Sequence, residues 1–110
     1  MMKGVDFYGV TSKNWKDVIR KEVAPGIYER SIWNGEHGKR AVVFEFEAGT
    51  KLPGLDAHLT GPEQIFVISG VFNDGENDHN EGCFINNPLG SAHLPQSKVG
   101  CTLLITFPEG

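Results

Sequence analysis

The chain has 110 residues, 39% of them apolar and 22% charged, a length and mix that suit one globular domain, 1–110, with its own core. A net charge of -4 with no basic block argues against nucleic acid or an anionic membrane as partner. The start, MMKGVDFYGV, lacks a continuous apolar segment, and apolar runs such as IFVI at 65–68 are too short to span a bilayer, so a soluble, cytoplasmic protein is expected.

Residues 1–13 carry no clear pattern and are read as an N-terminal extension. TSKNWKDVIRKE (11–22) spaces Trp15, Val18 and Ile19 at i, i+3 and i+4 behind Thr11 and Ser12, which fits a short helix and equally an N-terminal strand. GIYERSIWNG (26–35) ends in Asn34-Gly35, a hairpin signal leading to a strand at 40. RAVVFEFEAG (40–49) alternates, with Val42, Phe44 and Phe46 on one face and Val43, Glu45 and Glu47 on the other, as a half-buried strand does. Gly49, Pro53 and Gly54 then break the chain.

QIFVISGVF (64–72) is nearly all apolar and reads as a strand buried on both faces. NDGEND (73–78) is a turn, CFIN (83–86) a short strand, NPLG another turn. GCTLLITF (100–107) closes the series, with Cys101, Leu103, Ile105 and Phe107 on one face. Many short strands with regular turns predict an all-β sandwich or barrel. Phe44, Phe46, Phe66, Phe72 and Phe84 read mainly as core filler. Cys83 and Cys101 read as buried free thiols, a disulfide requiring neighbouring strands and an oxidising compartment.

The chemistry concentrates in two stretches. In LDAHLTGPEQIFVISG (55–70), Asp56 and His58 are two apart and share a face of an extended segment. Glu63 follows a Gly-Pro turn that can return it beside His58. In GCFINNPLGSAHLPQS (82–97), Pro88 and Gly90 punctuate the approach to His93. Two imidazoles and two carboxylates suit a borderline first-row divalent metal such as iron, manganese, zinc or nickel. His37 reads as solvated. His79 lies among acids, where Asp74, Glu76 and Asp78 alternate as in some calcium loops but lack the terminal bidentate Glu; a surface turn fits better.

These spacings resemble a known family. Asp56-x-His58-x4-Glu63-x6-Gly70 resembles the first cupin motif, and Gly82-x5-Pro88-x-Gly90-x2-His93 the second. EQIFVISGVFNDG, EGCFINNPLGSAHLPQS and GCTLLIT are similar to the cupin domain of ChrR-type anti-sigma factors and their single-domain relatives, over residues 14–106. The resemblance implies a small antiparallel β-barrel, the double-stranded β-helix of RmlC-like jelly rolls, with a metal in its mouth. Carried over, His58, Glu63 and His93 fall on ligand positions, Asp56 stands where the family most often has a histidine, and Ser97 stands where the second motif ends in Asn.

The implied function is a metal-dependent enzyme on a small organic molecule, dioxygenase-like, with Glu63 or Asp56 moving a proton. Two other readings accompany it: a ligand-sensing module, and a cupin with a vestigial site. A homodimer built partly from N-terminal strands such as 26–33 is expected, because a small antiparallel barrel leaves edges.

Overall fold

The alternation of apolar side chains produces a sheet protein. The computed structural model describes residues 4–110. Its strands are β1 (Lys21–Ala24), β2 (Ile27–Asn34), β3 (Arg40–Phe46), β4 (Thr50–Lys51), β5 (Asp56–Ala57), β6 (Glu63–Asn73), β7 (Asp78–Asn80), β8 (Phe84–Asn87), β9 (Ala92–His93), β10 (Gln96–Ser97) and β11 (Cys101–Phe107). The main sheet runs β1-β2-β3-β11-β6-β10-β4, and β7 and β8 also pair with β6. β5 and β9 form a separate two-stranded sheet. All the pairings are antiparallel, and the main sheet curls into a half-barrel of the jelly-roll type.

Ile27, Val42, Phe46, Ile65, Val67, Phe72, Leu103 and Ile105 fill the concave side. Each contributes about 1.5–3 kcal/mol by leaving water. β3 keeps the parity read from its sequence, with Val42 and Phe46 inside and Phe44 packed beside them, but it is not simply half-buried: Val43 on the opposite face is 1% exposed. β11 likewise turns Cys101, Leu103 and Ile105 inward.

β6 differs from the reading of a strand buried on both faces. Glu63, Ile65 and Val67 are buried, whereas Phe66 between them is 42% exposed. A bulge explains the rest of the run. Thr102 pairs with Ser69 but Leu103 with Val67, so Ile68 is an extra residue. The extra residue reverses the parity and brings Phe72, five positions after Val67, back into the core. Gly70 follows at φ 77°, and a Cβ there would strike the Gly100 carbonyl oxygen and Cys101 Cα.

Two other expectations are corrected, and the hairpin expectation is met with a different loop. Of the two alternatives for residues 11–22, the helix reduces to a single 3₁₀ turn, Trp15–Asp17, and the strand begins only at Lys21 as β1; Ile19 between them is 91% exposed. The hairpin signalled by Asn34-Gly35 forms and leads into β3 at Arg40, through a loop longer than two residues. Asn34 pairs with Arg40 across a loop of residues 35–39, in which His37 is exposed at φ 59°. Phe66 and Phe84 are not core filler. They face each other across β6 and β8 on the outer surface. Both cysteines are free, and burial pushes the Cys101 thiol up to about 11, too high for thiolate chemistry at neutral pH. Among the described residues, no helix is long and apolar enough to cross a membrane.

Candidate metal centre

The site is built on the small sheet. β5 and β9 set Asp56 opposite His93 and Ala57 opposite Ala92. The turn carrying Pro88 and Gly90 extends this ladder by one more residue. Gly90 N–H donates to the His58 carbonyl at 2.8 Å, and His58 N–H donates to the Ser91 carbonyl at 2.9 Å. Ser91 is held in turn by Pro88, whose carbonyl accepts from Ser91 N–H at 3.0 Å and from the Ser91 hydroxyl at 2.6 Å. Gly90 sits at φ 89°, a conformation that a side chain resists. The turn therefore grips the backbone of one imidazole while it delivers the other. Glu63 opens β6 opposite Asn87 of β8, whose Nδ2 donates to Glu63 Oε1 at 3.4 Å.

One ligand-type atom from each of Asp56, His58, Glu63 and His93 lies within 4.8 Å of the other three. His93 Nε2 is 3.2 Å from His58 Nε2, 3.2 Å from Asp56 Oδ2 and 3.5 Å from Glu63 Oε1, and His58 Nε2 is 3.6 Å from Glu63 Oε1. A metal with ligands at about 2.1 Å has ligand-to-ligand edges of about 3.0 Å in an octahedron and about 3.4 Å in a tetrahedron. The observed separations are of that size. Chemistry points the same way. His58, Glu63 and His93 are buried, and two Nε2 atoms facing each other can share only one proton. A cation between the four fits the donor set better than protons do.

A family comparison now decides what the barrel is: the family of ChrR cupin-like domains matches residues 10–108. The chain belongs to that family.

Solved structures agree on the fold. The chain is similar to Rhodobacter sphaeroides anti-sigma ChrR in complex with SigE, at 20% identity and TM-score 0.74, covering 86% of this chain and 50% of that one. It thus spans about half the length of that relative. It resembles an RmlC-like cupin from Shewanella frigidimarina at 19% identity and TM-score 0.74, covering 89% of each chain. It also resembles a provisionally assigned acetylacetone dioxygenase from Methylibium petroleiphilum at 16% identity and TM-score 0.78, covering 97% of this chain and 81% of that one. No curated protein matches the sequence.

The electrostatics of this cupin mouth divide the two carboxylates. The hydrogen bond with His93 holds Asp56, the most exposed of the four, below the usual carboxylate range. Burial pushes Glu63 up to about 7, against the pull of the His93 charge and of the Asn87 hydrogen bond. Burial and the neighbouring His93 lower His58, which favours its neutral, ligating form. His93 Nδ1 is buried without a hydrogen-bond partner among the described residues, so edge-on packing against Phe72 at 6.1 Å orients the ring instead.

A cavity of about 630 Å³ opens from the four residues into the barrel, bounded by apolar groups including Phe44, Phe46, Phe72 and Leu103. Such a volume and lining suit a small organic molecule. Ser97, in the place of the motif's Asn, is fully buried and structural. Its hydroxyl donates to the Val71 carbonyl at 2.6 Å and accepts from Gly100 N–H at 2.9 Å.

The acidic stretch near His79 closes on itself as a turn. Asp74 Oδ1 accepts from the N–H groups of Glu76 and Asn77, and its Oδ2 lies 2.8 Å from His79 Nε2. His79 itself stands on β7, where a loop was expected. The sequence reading missed Asn87. Only the β6–β8 register reveals it as Glu63's partner.

Proposed function

We propose that this cupin binds one divalent metal ion through His58, Glu63 and His93, with Asp56 completing the set, and acts as a metal-dependent, dioxygenase-like enzyme on a small organic substrate. The observation that carries the reading is the convergence of the four side chains at the mouth of an apolar cavity. When bound, the metal supplies Lewis-acid and redox chemistry. The chain's own residues supply the rest. Phe44, Phe46 and Leu103 exclude water and hold the apolar body of a substrate. Glu63, which burial makes a weak acid in the metal-free chain, gives up its proton on ligating and is the group placed to take one back when its oxygen is released. Asp56 stays ionised and offers an oxygen donor beside His93 Nε2.

Elemental analysis tests the metal. Wild-type protein incubated with iron, manganese, nickel or zinc is expected to retain about one ion per chain. His58→Ala and His93→Ala are expected to lose it. Asp56→Ala weakens retention, whereas Asp56→His preserves it, because an imidazole restores a neutral nitrogen donor at the same place. Wild-type protein that stays metal-free with all four metals overturns the proposal.

The likeness to ChrR, in which a cupin accounts for about half the chain, favours a second reading as a ligand-sensing module. Oxygen consumption by the isolated, metal-loaded protein with a β-diketone such as acetylacetone separates the two, since a sensor does not turn over alone.

A further inference from the structure

The inner face of β3 begins with a charge. Residues 40, 42, 44 and 46 share one parity, and Val42 and Phe46 at that parity are core residues. Arg40 therefore points to the concave side, and it lines the cavity. Among the described residues it is the only lysine or arginine that does so. Its place in the sheet puts it beside the metal centre. Arg40 pairs with Phe107 of β11, and Thr106 pairs with Gln64 of β6, so the next rung joins Phe107 to Glu63. Arg40 and Glu63 thus stand on one rung with one strand between them, about 10 Å apart across the sheet.

The guanidinium is held in a way that leaves its donors available. Its Cζ lies 4.5 Å from the centroid of the Phe107 ring, a cation–π contact that uses none of its N–H groups as hydrogen-bond donors to oxygen. Glu29, also lining the cavity, comes to 3.7 Å from Nη1, beyond hydrogen-bond distance. No hydrogen bond from the Arg40 side chain is made among the described residues. The side chain is 38% exposed, so it is reachable from the mouth. An arginine fork has five donors in one plane, and its best partner is a carboxylate.

We infer that the cavity takes small organic acids, with Arg40 anchoring the ligand's carboxylate while the rest of the molecule lies toward His58, Glu63 and His93. This rests on the reading of the cavity as the ligand chamber of a metal-binding cupin, and it narrows the substrate class from small organic molecules to anions. Glu29 acts as the internal competitor. It occupies the vicinity of the fork until a better-placed carboxylate arrives, and so keeps a cation at a partly apolar wall from standing alone.

Calorimetric titration with benzoate and with its uncharged analogue benzamide tests the inference on the protein as purified. Wild type is expected to bind benzoate at least tenfold more tightly than benzamide. Arg40→Gln is expected to lose that difference, and Arg40→Lys to keep part of it, since an ammonium keeps the charge without the planar fork. Glu29→Gln is expected to bind benzoate severalfold more tightly than wild type, because the competing carboxylate is gone. This gain of binding does not depend on whether Arg40→Gln folds. Wild type that shows no binding of benzoate at about 10 mM, equal binding of the two probes, or weaker binding in Glu29→Gln overturns it. Elemental analysis of the same samples separates this from the metal reading. If Arg40 alone is misassigned, every variant still holds its metal; if the metal reading fails, all are metal-free while the benzoate arm still reports on Arg40.

Discussion

Glu63 is the residue at which folding and function pull in opposite directions. Folding buries its carboxyl and raises it from the ordinary 4.5 to about 7, so the folded, metal-stripped chain keeps a proton that the unfolded chain has lost. Its contribution to stability is therefore fully present below about pH 4.5 and is lost as pH rises through 7, by at most about 3 kcal/mol. His58 works the other way. Its lowered value makes a contribution that is present above 6.5 and fades as pH falls. Urea denaturation of chelator-treated protein at pH 5.5 and pH 8 separates the two. Relative to Glu63→Gln, wild type is expected to lose stability between these values; a constant difference between the two proteins would show that Glu63 is ionised throughout. Metal has the opposite dependence. The proton on Glu63 must leave before the oxygen can ligate, so metal affinity is expected to rise with pH across this range. Asp56, already ionised, adds no such dependence.

At the scale of elements, the site depends on two glycines that do different jobs. Gly90 supplies a left-handed turn in open space: a Cβ there meets nothing within 4 Å. Gly90→Ala is expected to cost about 1–2 kcal/mol from backbone conformation alone. Gly70 combines a left-handed φ of 77° with backbone packed against it from Gly100 and Cys101. Gly70→Ala must move β11 away from β6 and is expected to cost clearly more than Gly90→Ala in urea midpoint; equal costs would show that the bulge region is soft.

The same elements show what the sequence could reveal. Asp56, His58, Glu63 and His93 were legible because each is placed by local chemistry, a period of two or a turn of Pro and Gly. Arg40 was legible in principle as a charge on the apolar parity of its strand. The bulge at Ile68, the partnership of Asn87 with Glu63 and the outward turn of Phe66 were not. They depend on which strands pair and in what register, and pairing is a property of distant segments.

For the whole molecule, the exposed apolar surface bears on association. Residues 26–33, expected to contribute to a dimer, fall on β2 apart from Gly26, and β2 is covered by β1 on one side and β3 on the other. The edges of the main sheet's path are β4 and β1, the latter a short strand in which only Ala24 is buried. The outer face adds a row across neighbouring strands. Phe84 pairs with Phe66, and Phe66 with Leu104. Phe84 and Phe66 are 63% and 42% exposed, and Phe7 and Tyr8 in the extended N-terminal segment are 75% and 95% exposed. An unpaired edge and aromatic side chains in water both favour contact with another copy, and closed two-fold dimers are the commonest outcome. Light scattering at micromolar concentration is expected to give about twice the chain mass of 12.1 kDa. Phe66→Asp is expected to shift the protein toward monomer while its metal content stays unchanged, because Phe66 points away from the cavity that Glu63 and Ile65 line. A monomer mass for wild type overturns the dimer outright. A dimer unaffected by Phe66→Asp moves the interface from the aromatic row to the β1 edge, where Val23→Pro, which removes an N–H from that strand, is the variant expected to disrupt it.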